Sequence, residues 1–259
     1  MDSSYLRRIQ DALAAAEEIL RRYTPGAIHA EDKGGGDPVT EADHAVDRAL
    51  RELLPKHNEG WLSEETVDDA ARLQNERVWV VDPLDGTREF VQGIPEWCVS
   101  VGLVEGNRAV AGGILNPATG ETIVGSLHTG VTYNGQPAAV SEPDAPGGGT
   151  VLASRSEVKR GEWERFGNSA FTVRPMGSVA YKLALVAAGR ADATWTLVPK
   201  HEWDIAAGVA LVLAAGGEVY TPDGRAPVFN QPKPKVSGLI AHSPSLRSAI
   251  RSALGTVPD

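Results

Sequence analysis

Apolar residues at Leu6, Ile9, Leu13, Leu20 and Tyr23 fall on one face of a helix, with Ser3 or Ser4 placed to cap it. Thr24-Pro25-Gly26 stops that helix. The following Glu31-Asp32-Lys33-Gly34-Gly35-Gly36 is too polar and glycine-rich for an element interior. Thr40 predicts the cap of a second helix, with Ala42, Val46, Ala49, Leu50 and Leu53 at helical spacing. Val78-Trp79-Val80-Val81 is a short apolar run rich in β-branched residues and reads as a buried strand ended by Asp82-Pro83. Strands follow at Val99–Val104, Ala111–Leu115 and Thr122–Val124. Asn134-Gly135 marks a turn between Val131-Thr132-Tyr133 and Ala138-Ala139-Val140.

The segment Ser141–Gly149, with two prolines and three consecutive glycines, reads as a hinge. It divides an N-terminal half, residues 1–143, from a C-terminal half, residues 150–259. Beyond it strands and helices alternate: strand Val151–Ala153, helix near Glu157–Phe166, strand Phe171–Arg174, helix Ser178–Ala188 and strand Ala193–Thr196. A long helix from Asp204 to Ala215 closes at Gly216-Gly217. Strand Glu218–Tyr220, a Pro222-Asp223-Gly224 turn, strand Gly238–Ala241 and a helix from Ser243 complete the pattern. The first half therefore reads α+β and the second α/β, without internal repeats.

Composition narrows the functional classes. The 259 residues carry 25 Lys and Arg against 34 Asp and Glu, a formal charge of −9. That balance argues against a nucleic-acid polymer or a polybasic membrane anchor as partner. A single cysteine, Cys98, excludes an internal disulfide framework, and six scattered histidines show no zinc spacing. Neither triple glycine is followed by the Lys-Ser/Thr of a nucleotide P-loop. No apolar run reaches the roughly 18–20 residues of a membrane span, and the first residues do not resemble a signal peptide. A soluble, cytoplasmic protein is the expectation.

The densest chemical signal is Val80-Val81-Asp82-Pro83-Leu84-Asp85-Gly86-Thr87-Arg88-Glu89-Phe90. A strand delivers two carboxylates to its end and a Gly-Thr pair opens the next turn or helix. Hard oxygens suit Mg²⁺, and N–H groups at a helix start suit a phosphate. Taken alone, the same residues also describe an Asx-type turn with Asp85 as a helix cap. Glu64-Glu65 reads equally as a solvated helix start, Asp204 as an N-cap, and Asp43 as the third residue of a capping box.

In combination these stretches resemble the inositol monophosphatase superfamily of Mg²⁺-dependent, lithium-sensitive phosphatases. The matching segments are DPVTEAD, LSEE, WVVDPLDGTREF, MGS at Met176-Gly177-Ser178, and EWDIAAGVALVLAAGG, in order from Asp37 to Gly217. The resemblance implies an alternating α-β-α-β-α layered sandwich with the site between its halves. It further implies that Glu64, Asp82, Asp85 and the Leu84 carbonyl ligate two or three Mg²⁺ ions, and that Asp204 completes the cluster from the other half. By the same resemblance Asp43 holds a metal-bound water or a weaker third ion. Thr87 orients the attacking water with Glu64, and the N–H groups of Gly86 and Thr87 bind phosphate. Haloacid-dehalogenase-type enzymes also contain Asp-Gly-Thr, but after D-x-D; here Pro83 and Leu84 separate the aspartates. A non-catalytic phosphate sensor would be expected to have lost a ligand, and every expected acidic position is filled.

Leu197 stands where inositol-specific members typically carry a carboxylate that contacts ring hydroxyls. The Ser-Glu-Glu and Thr-Arg-Glu-Phe sequences resemble the 3′(2′),5′-bisphosphate nucleotidase branch, which makes adenosine 3′,5′-bisphosphate the first expected substrate. Inositol-1-phosphate or another sugar phosphate is the second. Ser178, Tyr181, Lys182, Lys200 and His201 are candidate rim residues for a nucleotide, with Asp85 and Asp204 also facing the substrate. The Lys33–Gly36 stretch is expected to act as a flap. A homodimer is compatible with the sequence and not required by it.

Overall fold

The computed structural model describes residues 3–32, 38–68, 70–143, 148–167 and 169–255. The expected flap at Lys33–Gly36, and residues 144–147 of the expected hinge, lie outside them. The chain opens with α1 (Ser3–Leu20), β1 (Ala30–Asp32), β2 (Pro38–Thr40) and α2 (Glu41–Leu53). β3 (Glu59–Ser63), β4 (Arg77–Asp85), α3 (Thr87–Val91), β5 (Cys98–Glu105) and β6 (Arg108–Asn116) follow. β7 (Glu121–Ser126), β8 (Gly130–Tyr133) and β9 (Gln136–Ala138) finish the first half. The second half contains β10 (Gly149–Ser154), α4 (Arg155–Lys159), β11 (Phe171–Met176), α5 (Val179–Ala187) and β12 (Ala193–Thr196). β13 (Lys200–His201), α6 (Glu202–Ala214), β14 (Glu218–Tyr220), β15 (Lys235–Val236), β16 (Leu239–His242) and α7 (Arg247–Leu254) close it.

Among the described residues β3 to β9 form a seven-stranded sheet in sequence order, and a five-stranded sheet runs β11-β10-β12-β16-β14. β3 and β4 are parallel, with Ser63 opposite Val81, so the Glu64 that follows β3 emerges beside the end of β4. Three apolar layers hold the sheets. α1 and α2 cover one face of the larger sheet through Ile9, Leu13, Val46, Leu50, Trp79 and Val101. α5 and α6 lie between the two sheets. Trp163, Phe166 and Ile250 pack with Trp195 of β12 on the outer face of the smaller one. The layering is α-β-α-β-α.

α6 is apolar all round because it is buried on both sides, the expected composition for a helix between sheets. It approaches the larger sheet closely at Gly102 and Gly112, which face each other in the β5–β6 ladder. A Cβ at Gly112 would lie 2.5 Å from the Ala207 carbonyl oxygen, and one at Gly102 would lie 2.9 Å from the Ala207 nitrogen. These two positions require glycine so that α6, and with it Asp204, can sit directly on the strands. At the far edge, Arg8 donates twice to Glu59, which also accepts from the Trp79 indole at 2.9 Å and the Lys56 N–H at 2.9 Å. That cluster ties α1 to β3 and β4.

Several boundaries differ from the sequence expectation. β3 was not anticipated, because Glu59-Gly60 masks a short strand whose inward residues are Gly60, Leu62 and Ser63. The helix expected near Glu157–Phe166 is α4 plus a separate 3-10 turn at Glu164–Phe166, interrupted where Gly161 takes φ +78°. Leu53 is exposed, and Leu54, fully buried, takes its place. Val140 lies beyond β9 and donates instead to the Ala215 carbonyl at the end of α6. The last helix begins at Arg247, after a 3-10 turn at Pro244–Leu246.

Candidate active site

β4 carries the chemistry because its regular pairing with β5 breaks between Asp82 and Asp85, where Pro83 and Leu84 bulge out of register. The Asp82 side chain accepts the Leu84 N–H at 3.0 Å, fixing that bulge as an Asx turn. Gly86 follows with φ +96°, a conformation natural to glycine, and turns the chain into α3. The first N–H groups of α3 thus have no carbonyl one turn earlier in the helix. The Thr87 hydroxyl lies 2.9 Å from the Leu84 carbonyl and 3.2 Å from Asp43. Asp43 is fixed in turn by the Thr40 N–H at 2.8 Å and hydroxyl at 2.6 Å, so the capping of α2 also aims a carboxylate at Thr87.

Opposite β4, the second half supplies two helix starts. Asp204, in the first turn of α6, accepts the His201 N–H at 3.0 Å. At the start of α5 the Ser178 hydroxyl donates to Asp85 at 2.7 Å, and the Ala180 N–H donates to the same oxygen at 2.6 Å. Between these elements lies a cleft of about 330 Å³ bordered by Glu64, Asp82, Asp85, Thr87 and Asp204. Gly86, Ser178, Lys200 and His201 also line it. The cleft therefore gathers residues separated by up to 140 positions. Asp43 reaches the cleft through Thr87.

Electrostatics define its character. Burial, together with Glu64, Asp85, Asp204 and Asp43, pushes the Asp82 carboxyl well above the usual carboxylate range. Burial, Asp85 and Glu64 push Asp204 up likewise, opposed by Lys200. Burial lowers the Lys182 ammonium to about 8. Among the described residues no three acidic, histidine or cysteine side chains are already gathered closely enough to hold a metal ion. The carboxylates instead stand within electrostatic reach of one another across the cleft. Hard carboxylate oxygens and a nearby backbone carbonyl are the donor types that suit a hard divalent cation.

One expected rim residue, Tyr181, and the substrate-specificity position Leu197 lie elsewhere. The Tyr181 hydroxyl donates to Glu121 on β7 and does not border the cleft, because the helical turn that aims Ser178 inward aims Tyr181 at the larger sheet. Leu197, 40% exposed, borders a neighbouring aromatic cavity with Trp163, Phe166 and Trp195. Conversely, Glu89, Glu96 and Arg155 were not anticipated. Glu89 lines the cleft, and burial with Asp85 nearby raises its carboxyl. Glu96 accepts from the Arg155 guanidinium at 2.5 Å and from the Gly177 N–H at 2.8 Å, bridging the halves. No local spacing announces Glu96, whose partners lie about sixty and eighty residues away.

Comparison with known proteins agrees with this geometry. Residues 2–256 match the family model described as the inositol monophosphatase family. An inositol monophosphatase from Mesembryanthemum crystallinum is 34% identical, over 86% of this chain and 87% of its own. The structure of inositol monophosphatase from Anabaena superposes with a TM-score of 0.80 at 28% identity, covering 99% and 97% of the two chains. CysQ from Bacteroides thetaiotaomicron, described as a bacterial member of the same family, superposes with a TM-score of 0.79 at 27% identity, covering 93% and 97%. With a family match spanning nearly its whole length, a layered sandwich fold and an acidic cleft between two halves, this chain belongs to the inositol monophosphatase family and is a phosphatase.

Proposed function

We propose that the protein hydrolyses small phosphate monoesters with Mg²⁺, two or three ions per site, the two halves acting as one catalytic unit. The observation that carries this reading is the convergence of Glu64, Asp82, Asp85 and Asp204 on one cleft beside the Gly86-Thr87 helix start. In this reading Glu64, Asp82, Asp85, the Leu84 carbonyl and Asp204 hold the cations. Bound Mg²⁺ supplies positive charge that offsets the phosphate and the leaving alkoxide and makes water more acidic. The Gly86 and Thr87 N–H groups bind phosphate oxygens. The Thr87 hydroxyl, steadied by Asp43, orients the attacking water with Glu64. No side chain is required as nucleophile, so the displacement is in line and leaves no phosphoenzyme.

Adenosine 3′,5′-bisphosphate is the substrate this reading favours. Arg88, Arg155 and Lys200 at the rim suit a second phosphate. Inositol-1-phosphate is the second reading, favoured by the name of the plant relative that aligns over most of this chain. Phosphate release from both compounds and from fructose-1,6-bisphosphate, with Mg²⁺ and then with added Li⁺, tests the set. The bisphosphate is expected to give the highest kcat/KM, with Li⁺ inhibitory. Preference for inositol-1-phosphate would select the second reading, and release from none would reject phosphomonoesterase activity on these esters.

A further inference from the structure

The turn Met176-Gly177-Ser178 that presents α5 to Asp85 is held in an unusual way. Ser178 has φ +51° and ψ +122°, a region that non-glycine residues avoid and occupy only where their surroundings over-determine it. Its hydroxyl meets three groups at once: it donates to Asp85, accepts the Tyr181 N–H at 3.0 Å, and touches the Cys98 sulfur at 3.4 Å. A serine oxygen can satisfy all of these only from one rotamer, so the strained backbone and the Asp85 contact are the same constraint.

Beneath the turn lies Lys182, 4% exposed. Its ammonium reaches the Ser178 carbonyl at 2.7 Å, the Gly177 carbonyl at 3.3 Å and the Met176 carbonyl at 3.4 Å. An ammonium has three donors, and all three point at backbone oxygens of this one turn. None is left for a substrate oxygen, although Lys182 borders the cleft. From the opposite side Glu96 accepts the Gly177 N–H. A cation therefore grips the turn's carbonyls while an anion grips its N–H.

We propose that Lys182, opposed by Glu96, is a positioning residue that pins the 176–178 turn so that the Ser178 hydroxyl and the Ala180 N–H hold Asp85 in one orientation. The inference rests on the phosphatase reading only for its kinetic readout. It assigns Lys182 a role through Asp85 and removes it from direct contact with substrate. A lysine that bound a substrate phosphate would act mainly through KM; one that sets the geometry of a reacting site acts through kcat.

The test is amide hydrogen exchange and steady-state kinetics on Lys182→Met, which keeps the side-chain length and removes the donors. Without substrate or metal, the Ala180 and Tyr181 amides are expected to exchange at least about tenfold faster than in the parent protein. With Mg²⁺, kcat is expected to fall about tenfold on every ester the parent hydrolyses, with KM within about twofold. Unchanged exchange at those amides, or a raised KM with kcat retained, would overturn the proposal. Glu96→Gln, which loosens the same turn from the other half, supplies the exchange readout if Lys182→Met does not fold, with the same criterion. Absence of activity in the parent protein would count against the phosphatase reading alone, since the exchange arm needs no turnover.

Discussion

At the scale of single residues, the carboxylates divide by what holds them. Asp82 and Asp204 are crowded by like charges, whereas Asp85 is oriented by two donors from the other half. Replacing Asp85 or Asp204 by Asn keeps the shape and deletes the charge. Each variant is expected to lose at least about two orders of magnitude in kcat while keeping its fold, read by phosphate release and circular dichroism. Near-parental turnover of either at saturating Mg²⁺ would remove that residue from the site. Glu59 is the opposite case. Burial alone would raise its carboxyl, but donors from Arg8, Trp79 and Lys56, and the Arg8 charge, outweigh burial and hold it below 4.5. A depressed folded value means that this cluster stabilises the protein above pH 4.5 and loses its effect as pH falls through the folded value. Glu59→Gln should therefore cost about 3 kcal/mol in urea unfolding at neutral pH, a difference that shrinks as pH falls through the folded value. A deficit independent of pH would show that the charge is not what matters.

At the scale of elements, legibility in the sequence followed local completeness. β4 and α6 were readable because each is a continuous apolar run with its own stop signal, Asp82-Pro83 and Gly216-Gly217. β3 was not, since its identity as a strand depends on β4 beside it rather than on its own five residues. The acidic positions of the cleft were legible only through the ordered set of motifs that carries the family resemblance, since each one alone reads equally as a turn or a helix cap. The grip of Glu96 on Gly177, and the turning of Tyr181 away from the cleft, were not, because both are set by packing between halves. The glycine pair under α6 belongs to this scale too. Gly112→Ala would drive a methyl into the Ala207 backbone, which cannot yield as a flexible side chain can. The variant is expected to lose about 1–3 kcal/mol of stability and, by lifting α6, to lower kcat as well. Thermal unfolding and phosphate release check the two parts, and unaltered stability would mean that the helix seat is softer than its contacts imply.

For the whole molecule, a charge of −9 is compatible with an anionic substrate once cations occupy the cleft. Among the described residues no helix is long and apolar enough to cross a membrane. If the cleft holds Mg²⁺ as proposed, an ion bound by the folded state alone should couple to folding. The thermal midpoint is expected to rise with Mg²⁺ and fall back with a chelator, by the equivalent of about 2.7 kcal/mol at a hundredfold excess over Kd. A midpoint indifferent to Mg²⁺ would contradict the cation site. The seating of α6 on Gly102 and Gly112 has a further consequence. A helix wedged backbone-to-backbone against two strands cannot slide along them, so the distance between Asp204 and the end of β4 is a fixed dimension of the molecule. Adaptation to a larger or differently shaped ester is therefore channelled away from that joint. It falls to side chains at the rim of the cleft, on the β10–α4 junction at Ser154–Ser156 and on Pro199–Lys200 ahead of α6, which can change chemistry while the carboxylate spacing is inherited intact.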